Sequence, residues 1–187
     1  MKSRRKAREA ALMALYRAEV GKTNLRESMA DVIENGSLPE ELAEYAEQVV
    51  KGIGQNSQTI DGALEGLTPG YDFMRIVAVD RNIMRIAAYE LMFEPDLPPA
   101  VTINEAVELA KRYSTAESGK FVNGVLGRLL AKTDKANWVP PEKPLSEEAP
   151  EEADELLEPE VLTGDDPRLE ELSRVGNWKI RNEDQAS

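Results

Sequence analysis

Positive charge is concentrated at the start of the chain. Residues 1–17 carry one acidic and six basic side chains, for a net charge of +5, and the basic ones are Lys2, Arg4, Arg5, Lys6, Arg8 and Arg17. Guanidinium and ammonium groups are the side chains that contact phosphates in nucleic acids. A solvated, alanine-rich helix start with ordinary surface charges would look the same, and composition alone leaves both interpretations open.

The other reactive residue types argue against catalysis. The sequence contains no Cys and no His, which removes thiol nucleophiles, the usual zinc sites and the commonest general base near neutral pH. The SGK run at 118–120 resembles part of a phosphate-binding loop, but Ser114 and Phe121 occupy positions where that motif needs glycine and a hydroxyl residue. We therefore predict a protein that is not an enzyme and has no metal or cofactor.

The charge of the whole chain is strongly segregated. The net charge of the 187 residues is −12, yet residues 134–187 alone contain 16 acidic and 6 basic residues and so carry −10. The remaining 133 residues carry only −2. The overall acidity therefore does not exclude a nucleic-acid partner for the N-terminal part.

Hydrophobic spacing predicts helices throughout residues 4–132, with no alternating strand pattern. We expect an all-α, compact bundle of six to seven helices. The first covers residues 4–20, the second 25–35, a long third 39–67 and a central one 72–93, and two more follow capping boxes at 102–105 and 114–117. Arg4 and Arg8 share the apolar side of the first helix but lie in its first two turns, so this end should project past the core.

The predicted domains are a helical one at residues 1–133 and an acidic tail at 134–187. The tail is rich in Pro and Glu and poor in large apolar residues, which predicts disorder, apart from a short helix near 167–176. No apolar run is long enough to cross a membrane, and the N-terminus lacks the features of a signal peptide. A soluble, cytoplasmic protein is the expectation.

Two blocks of the sequence resemble the NusB family of transcription antitermination factors. The first is SRRKAREAALMALYRAEV at residues 3–20, with an Arg-rich start, then Ala-Arg-Glu and an apolar stripe that ends in Ala-Leu-Tyr. The second is DRNIMRIAAYELMFEPDLPPAVTINEAVELAKRYSTAESGKFVNGVLGRLLAK at residues 80–132. The resemblance covers about residues 3–132 and leaves the acidic tail outside.

The resemblance implies an all-helical domain of two packed subdomains that binds single-stranded boxA-type RNA of ribosomal RNA leader transcripts. It also implies a protein partner, the ribosomal protein NusE, and through the two an indirect action on the RNA polymerase elongation complex. It implies no membrane partner. Some NusB-like proteins self-associate, and the sequence leaves the homodimer open.

The resemblance also implies site residues. It places RNA contacts on Lys2, Arg4, Arg5, Lys6, Arg8, Tyr16, Glu117, Lys120 and Phe121, and partner contacts on Tyr16 and Asp80. Aromatic rings suit base stacking and polar side chains suit base edges in single-stranded RNA. Two positions depart from the family pattern, which commonly has Asp where this chain has Glu117 and His where it has Gly119.

Several alternatives remain open at this point. Phe121 has helical spacing with Val125 and fits core packing as well as stacking, and Asp80 fits a helix cap or break. The whole chain also fits a helical adaptor without sequence-specific RNA binding, or a relative of the NusB-like module of ribosomal RNA cytosine methyltransferases, although only 55 residues follow Lys132. The acidic tail is either a solubilising appendage or a screen that competes with RNA for the basic helix.

Overall fold

The computed structural model of the protein describes residues 4–36, 38–68, 70 and 72–140. Across these residues it has seven α-helices and two short 3-10 helices, Phe73–Arg75 and Asp134–Asn137, and no strand. The α-helices are α1 (Arg5–Gly21), α2 (Leu25–Gly36), α3 (Glu40–Gln55), α4 (Ser57–Glu65), α5 (Ala78–Phe93), α6 (Pro99–Tyr113) and α7 (Ala116–Leu130). The predicted all-α fold is confirmed.

Two helices form the centre of the fold. The α5 helix is buried around most of its circumference, as expected for a helix that is apolar on several faces, and it packs against α1, α3, α4, α6 and α7. The α1 helix contributes a strip of fully buried alanines, Ala7, Ala11 and Ala14. The first three helices pack on one another and α5 to α7 do the same, so the two helical subdomains meet mainly across α1 and α5.

The predicted third helix is in fact two helices. The α3 helix ends at Gln55 and α4 begins at Ser57. The side chain of Asn56 donates from Nδ2 to the carbonyl oxygen of Gly52 at 2.8 Å, and its backbone N–H donates to the same oxygen at 3.1 Å. This double cap, together with the low helix propensity of Gly52 and Gly54, accounts for the break.

The start of α6 also differs from the prediction. The helix begins at Pro99, which suits a first helical position because it needs no N–H partner there. The proposed capping box at 102–105 is therefore wrong. Thr102 is buried within the helix, and its hydroxyl donates to Glu90 Oε2 at 2.9 Å. The second box is one residue out of place, because the cap of α7 is Thr115, whose Oγ1 accepts from the backbone N–H of Ser118 at 3.1 Å.

The folded body continues past residue 133. The ammonium of Lys135 is buried and donates to the carbonyl oxygens of Glu90 at 3.0 Å, Leu97 at 2.8 Å and Glu94. Trp138 donates from Nε1 to the carbonyl oxygen of Pro95 at 3.0 Å. Residues 134–138, which the sequence assigns to the tail, thus cap the end of α5.

The rest of the predicted tail, including the short helix near 167–176, lies outside the described residues. Among the helices that the structure describes, none has the length and apolar character needed to span a bilayer.

Candidate nucleic-acid interface

Three basic side chains are exposed at the start of α1, and we call them the N-terminal cluster: Arg4, Arg5 and Lys6. The guanidinium of Arg4 lies over the ring of Tyr45, 4.9 Å from its centroid, in the geometry of a cation–π contact. This contact orients Arg4 while leaving the residue accessible. Lys2, which the sequence assigns to the same group, lies outside the described residues.

Arg5 makes a two-pronged ion pair with Glu105 of α6. Its Nε donates to Glu105 Oε2 at 2.9 Å and its Nη2 donates to Oε1 at 2.8 Å. The hydrogen bond from Arg5 is the main reason that the pKa of Glu105 lies below its ordinary value. The pair fixes the start of α1 against α6.

Arg8 does not project from the core, so the expectation that it lies on an exposed helix end is wrong. It is 3 % exposed, and its guanidinium donates to both carboxylate oxygens of Glu90, from Nε at 2.7 Å and from Nη2 at 3.1 Å. A buried arginine needs such a counter-charge, because an unpaired charge away from water is strongly unfavourable. Arg8 is therefore a structural residue beneath the N-terminal cluster.

The carboxylate of Glu90 joins four helices. Besides Arg8 of α1, it accepts from the hydroxyl of Tyr45 in α3 at 2.8 Å and from Thr102 in α6 at 2.9 Å, while Glu90 itself belongs to α5. Burial, followed by the negative charge of Glu90, raises the pKa of Tyr45 far above its ordinary value, so its hydroxyl remains a donor. Beneath the N-terminal cluster, α1, α3 and α6 are thus joined through the buried carboxylate of Glu90.

At the other end of α1 the structure places Tyr16 on the surface, where it is 39 % exposed. One turn further on, Glu19 accepts hydrogen bonds from Arg81, from Asn82 Nδ2 at 2.8 Å and from Arg85 Nη1 at 3.1 Å. Burial opposes ionisation of Glu19, but these donors outweigh it and the pKa of Glu19 is lowered. The network fixes the end of α1 against the start of α5.

Asp80 lies in the first turn of α5 and faces α7 rather than solvent. It is 5 % exposed, and its Oδ2 accepts from Ser118 Oγ at 2.7 Å. Its Oδ1 is buried without a hydrogen-bond partner among the described residues. Asp80 therefore does not present its carboxylate to a protein partner, as the resemblance implies, and instead positions the start of α7. The alternative of a helix cap is also not observed, because the one hydrogen bond that the Asp80 carboxylate accepts among the described residues comes from Ser118 of α7.

The predicted residues of α7 separate by exposure. Glu117 and Lys120 are exposed, whereas Phe121 is half-buried and packs against the core. Gly119 is buried, and a Cβ at this position would lie 3.0 Å from Cγ of Lys111 in α6. Because Gly119 has no side chain, the aliphatic part of the Lys111 side chain can lie against α7 at this position.

Sequence reasoning missed two cations that link these regions. Arg112 in the last turn of α6 donates to Glu9 of α1 at 2.9 Å, and Lys111 lies against α7 and pairs with Glu108 at 2.8 Å. Both are more than half exposed. In the sequence they look like ordinary basic residues at a helix C-terminus, and their places are shown only by the contacts of Arg112 with α1 and of Lys111 with α7.

Six cations at the start of α1, the end of α6 and the start of α7 are exposed, and we call them the basic band: Arg4, Arg5, Lys6, Arg112, Lys111 and Lys120. Two contacts connect its three parts: Arg112 of α6 donates to Glu9 of α1 at 2.9 Å, and the side chain of Lys111 lies against Gly119 of α7, next to Lys120. Exposed cations of this kind suit a phosphate backbone. Glu117 lies in the first turn of α7, close to Lys120 in the sequence.

Comparison with known proteins identifies relatives over this helical region. The sequence model of the NusB family matches residues 5–131. The chain is 41 % identical to a transcription antitermination protein NusB of Desulfitobacterium hafniense over 135 residues, which are 71 % of this chain and 91 % of that protein. It is 43 % identical to the protein of the same description in Acetivibrio thermocellus over 127 residues, 68 % of this chain and 88 % of that protein.

Solved structures share the fold. A structure of NusB from T. maritima is 37 % identical, with a TM-score of 0.68 over 73 % of this chain and 97 % of the other. A structure described as antitermination factors NusB and NusE in complex with dsRNA is 30 % identical, with a TM-score of 0.66 over 71 % of this chain and 98 % of the other.

Proposed function

This chain belongs to the NusB family, and we propose that it is a transcription antitermination factor that binds boxA-type RNA together with a NusE-type ribosomal protein. In this proposal the two proteins act on the RNA polymerase elongation complex during ribosomal RNA transcription. In this role the protein binds RNA and a protein partner in the cytoplasm and catalyses no reaction.

The observation that carries the proposal is the basic band. Its six exposed cations belong to three neighbouring parts of a domain whose overall charge is slightly negative, and the Arg112–Glu9 and Lys111–Gly119 contacts connect those parts. Phosphate contacts of this kind supply affinity and salt dependence but little choice of sequence. Arg4 and Lys6 contribute such contacts at one end and Lys120 at the other.

Specificity needs groups that contact bases. Tyr16 is exposed and suits stacking, while Glu117 and Lys120 suit hydrogen bonds to base edges. Phe121 acts mainly by packing α7 onto the core, with its accessible part next to Lys120. Arg8 and Asp80 contribute indirectly, by holding the starts of α1 and α7 in place.

RNA binding is tested by a salt titration with a single-stranded boxA-type RNA, a scrambled strand and a duplex of the same sequence. The double variant Arg4→Ala/Lys6→Ala should bind the boxA strand more weakly. If it loses two phosphate contacts, the slope of log K against log salt should fall by about 1.4, at about 0.7 per contact for a single strand. Arg112→Ala should weaken binding less, because its guanidinium is shared with Glu9.

The matched control is Arg17→Ala. Arg17 is an exposed arginine of the same helix, paired with Asp31 at 3.2 Å and absent from the basic band. Its replacement should leave RNA affinity unchanged. Equal affinities of the double variant and the wild type, with helicity retained in circular dichroism, would refute the RNA site. Equal affinity for the boxA and scrambled strands would favour the adaptor alternative.

The protein partner is tested separately by a pull-down with purified NusE-type protein, with and without boxA RNA. Tyr16→Ala should reduce capture, because the resemblance implies partner contacts for Tyr16 and Asp80 and, of these two, only Tyr16 is exposed. Capture that is the same for Tyr16→Ala and the wild type would remove Tyr16 from the partner surface.

A further inference from the structure

The N-terminal cluster contains one cation that is already held by a carboxylate. Both donor atoms on one edge of the Arg5 guanidinium, Nε and Nη2, are directed at Glu105 at 2.9 and 2.8 Å. The Arg5 side chain is 44 % exposed and that of Glu105 is 16 % exposed. The pair therefore lies at the surface, with the carboxylate on its inner side.

In its two-pronged contact with Arg5, the carboxylate of Glu105 takes the place that a phosphate group could take. The flat fork of a guanidinium binds a carboxylate and a phosphate in the same two-pronged manner. The edge of Arg5 that meets Glu105 cannot take both anions at once. Because the pKa of Glu105 is lowered by its hydrogen bond from Arg5, the carboxylate is ionised at neutral pH.

We propose that Glu105 is a built-in competitor of RNA, which Arg5 exchanges for a phosphate group when RNA binds along the basic band. The inference rests on the proposed RNA-binding function. Glu105 then has two effects. It holds α1 against α6 in the free protein, and it lowers the affinity of the protein for RNA. Loss of the Arg5 pair leaves the start of α1 attached through Arg8 and Glu90 beneath it.

A purely structural role for Glu105 leads to the opposite expectation. If Glu105 only orients Arg5 towards RNA, removing its charge should weaken binding, because Arg5 would lose its fixed position. If Glu105 competes, the same change should strengthen binding. The sign of the effect therefore separates the two roles.

The experiment is a double-mutant cycle with the full chain and boxA-type RNA, comparing wild type, Glu105→Gln, Arg5→Ala and Arg5→Ala/Glu105→Gln. Glutamine keeps the shape of Glu105 without its charge. We expect Glu105→Gln to bind RNA about two- to fivefold more tightly, the range of an exposed ion pair, with a salt slope that is steeper by up to about 0.7. In the Arg5→Ala background the same change should have a much smaller effect, because no Arg5–Glu105 pair is left to break. What remains there is the general effect of removing one negative charge, which is common to both backgrounds.

A second measurement uses the wild type alone. The Nε–H signal of Arg5 in nitrogen-15 NMR, assigned by its loss in Arg5→Ala, should shift when RNA is added. A signal that stays unchanged, or Glu105→Gln binding that is equal or weaker, would overturn the inference while wild-type binding to boxA RNA still supports the proposed function. Absence of wild-type RNA binding would instead remove the proposed function and the inference with it.

Discussion

Arg8 and Glu90 form a buried two-pronged ion pair between α1 and α5, with Nε to Oε1 at 2.7 Å and Nη2 to Oε2 at 3.1 Å. The side chains are 3 % and 0 % exposed. Glu90 also accepts from Tyr45 and Thr102, so the carboxylate has donors from α1, α3 and α6. The positive charge of Arg8 is the only full counter-charge that the described residues place on the carboxylate itself.

Replacing Arg8 by alanine should therefore destabilise the fold, because it leaves a buried carboxylate without its counter-charge. The expected loss is about 3–5 kcal/mol in the free energy of unfolding, measured by urea denaturation. Arg17→Ala is the control on the same helix, and its exposed pair with Asp31 should contribute less than about 1 kcal/mol. Similar small losses in both variants would contradict the structural role of Arg8.

The position of Arg8 also shows which features of the structure could be predicted from the sequence and which could not. Helical spacing places it on the apolar side of α1, and that placement is correct. Its partner is 82 residues away, so nothing local indicates whether the guanidinium points into the core or out of it. The N-terminal run of basic residues therefore predicts a phosphate surface but includes one residue, Arg8, that belongs to the core.

The helices themselves were predictable because their apolar spacing is regular and their breaks have chemical causes. Errors arose where a side chain serves a distant contact instead of a local one. Thr102 has the local pattern of a helix cap, yet its hydroxyl binds Glu90. Lys135 lies in a segment whose composition is that of an acidic tail, yet its ammonium donates to carbonyl oxygens at and beyond the end of α5. Both contacts depend on tertiary packing, which the sequence does not show.

Gly52 and Gly54 provide a test of packing within one helix. A Cβ at Gly52 would lie 2.1 Å from Cε2 of Tyr89, whose ring is buried and stacks on Phe93. Gly52→Ala should therefore destabilise the protein, by about 1–3 kcal/mol as is typical of overpacking. At Gly54 the nearest atom to a Cβ is Leu25 Cδ2 at an ordinary 3.5 Å.

Gly54→Ala should instead stabilise the protein, by up to about 1 kcal/mol in the free energy of unfolding, because alanine has the higher helix propensity. Thermal unfolding of the two variants beside the wild type measures both effects. A gain in stability for Gly52→Ala would mean that Tyr89 can leave the surface of α3 without loss.

Glu19 predicts a pH dependence of stability. Its pKa is lowered in the folded state, because hydrogen bonds from Arg81 and Asn82 outweigh the opposing effect of burial. Its contribution to stability is therefore fully present above the unfolded pKa of about 4.3, and is lost as the pH falls through the lower folded pKa.

The measurement compares wild type and Glu19→Gln by urea denaturation between pH 7 and pH 3. Wild type should be the more stable at pH 7, because glutamine cannot supply the charge that Arg81 and Arg85 face. The difference should shrink as the pH falls below about 4.3. A difference that is constant over the whole range would show that the ionisation of Glu19 is not linked to folding.

The acidic tail is tested best by truncation after residue 140, because the structure assigns Lys135 and Trp138 to the folded body. Residues 141–187 carry 15 acidic and 5 basic side chains, so their removal eliminates a charge of −10 and with it repulsion of RNA. The truncated protein should unfold at nearly the same temperature as the wild type. Its affinity for boxA-type RNA should rise at low salt, and the gain should fade at high salt because the effect is screened.

Truncation after residue 133 is the matched comparison, since it also removes the ammonium of Lys135 from the end of α5. This shorter chain should lose at least about 2 kcal/mol of stability, the range for hydrogen bonds made by a charged group, and Lys135→Ala in the full chain should reproduce most of that loss. If both truncated chains are as stable as the wild type, the contacts of Lys135 add nothing to the fold. If the chain cut after residue 140 binds RNA as the full chain does at low salt, the tail does not oppose RNA, and its charge serves solubility alone.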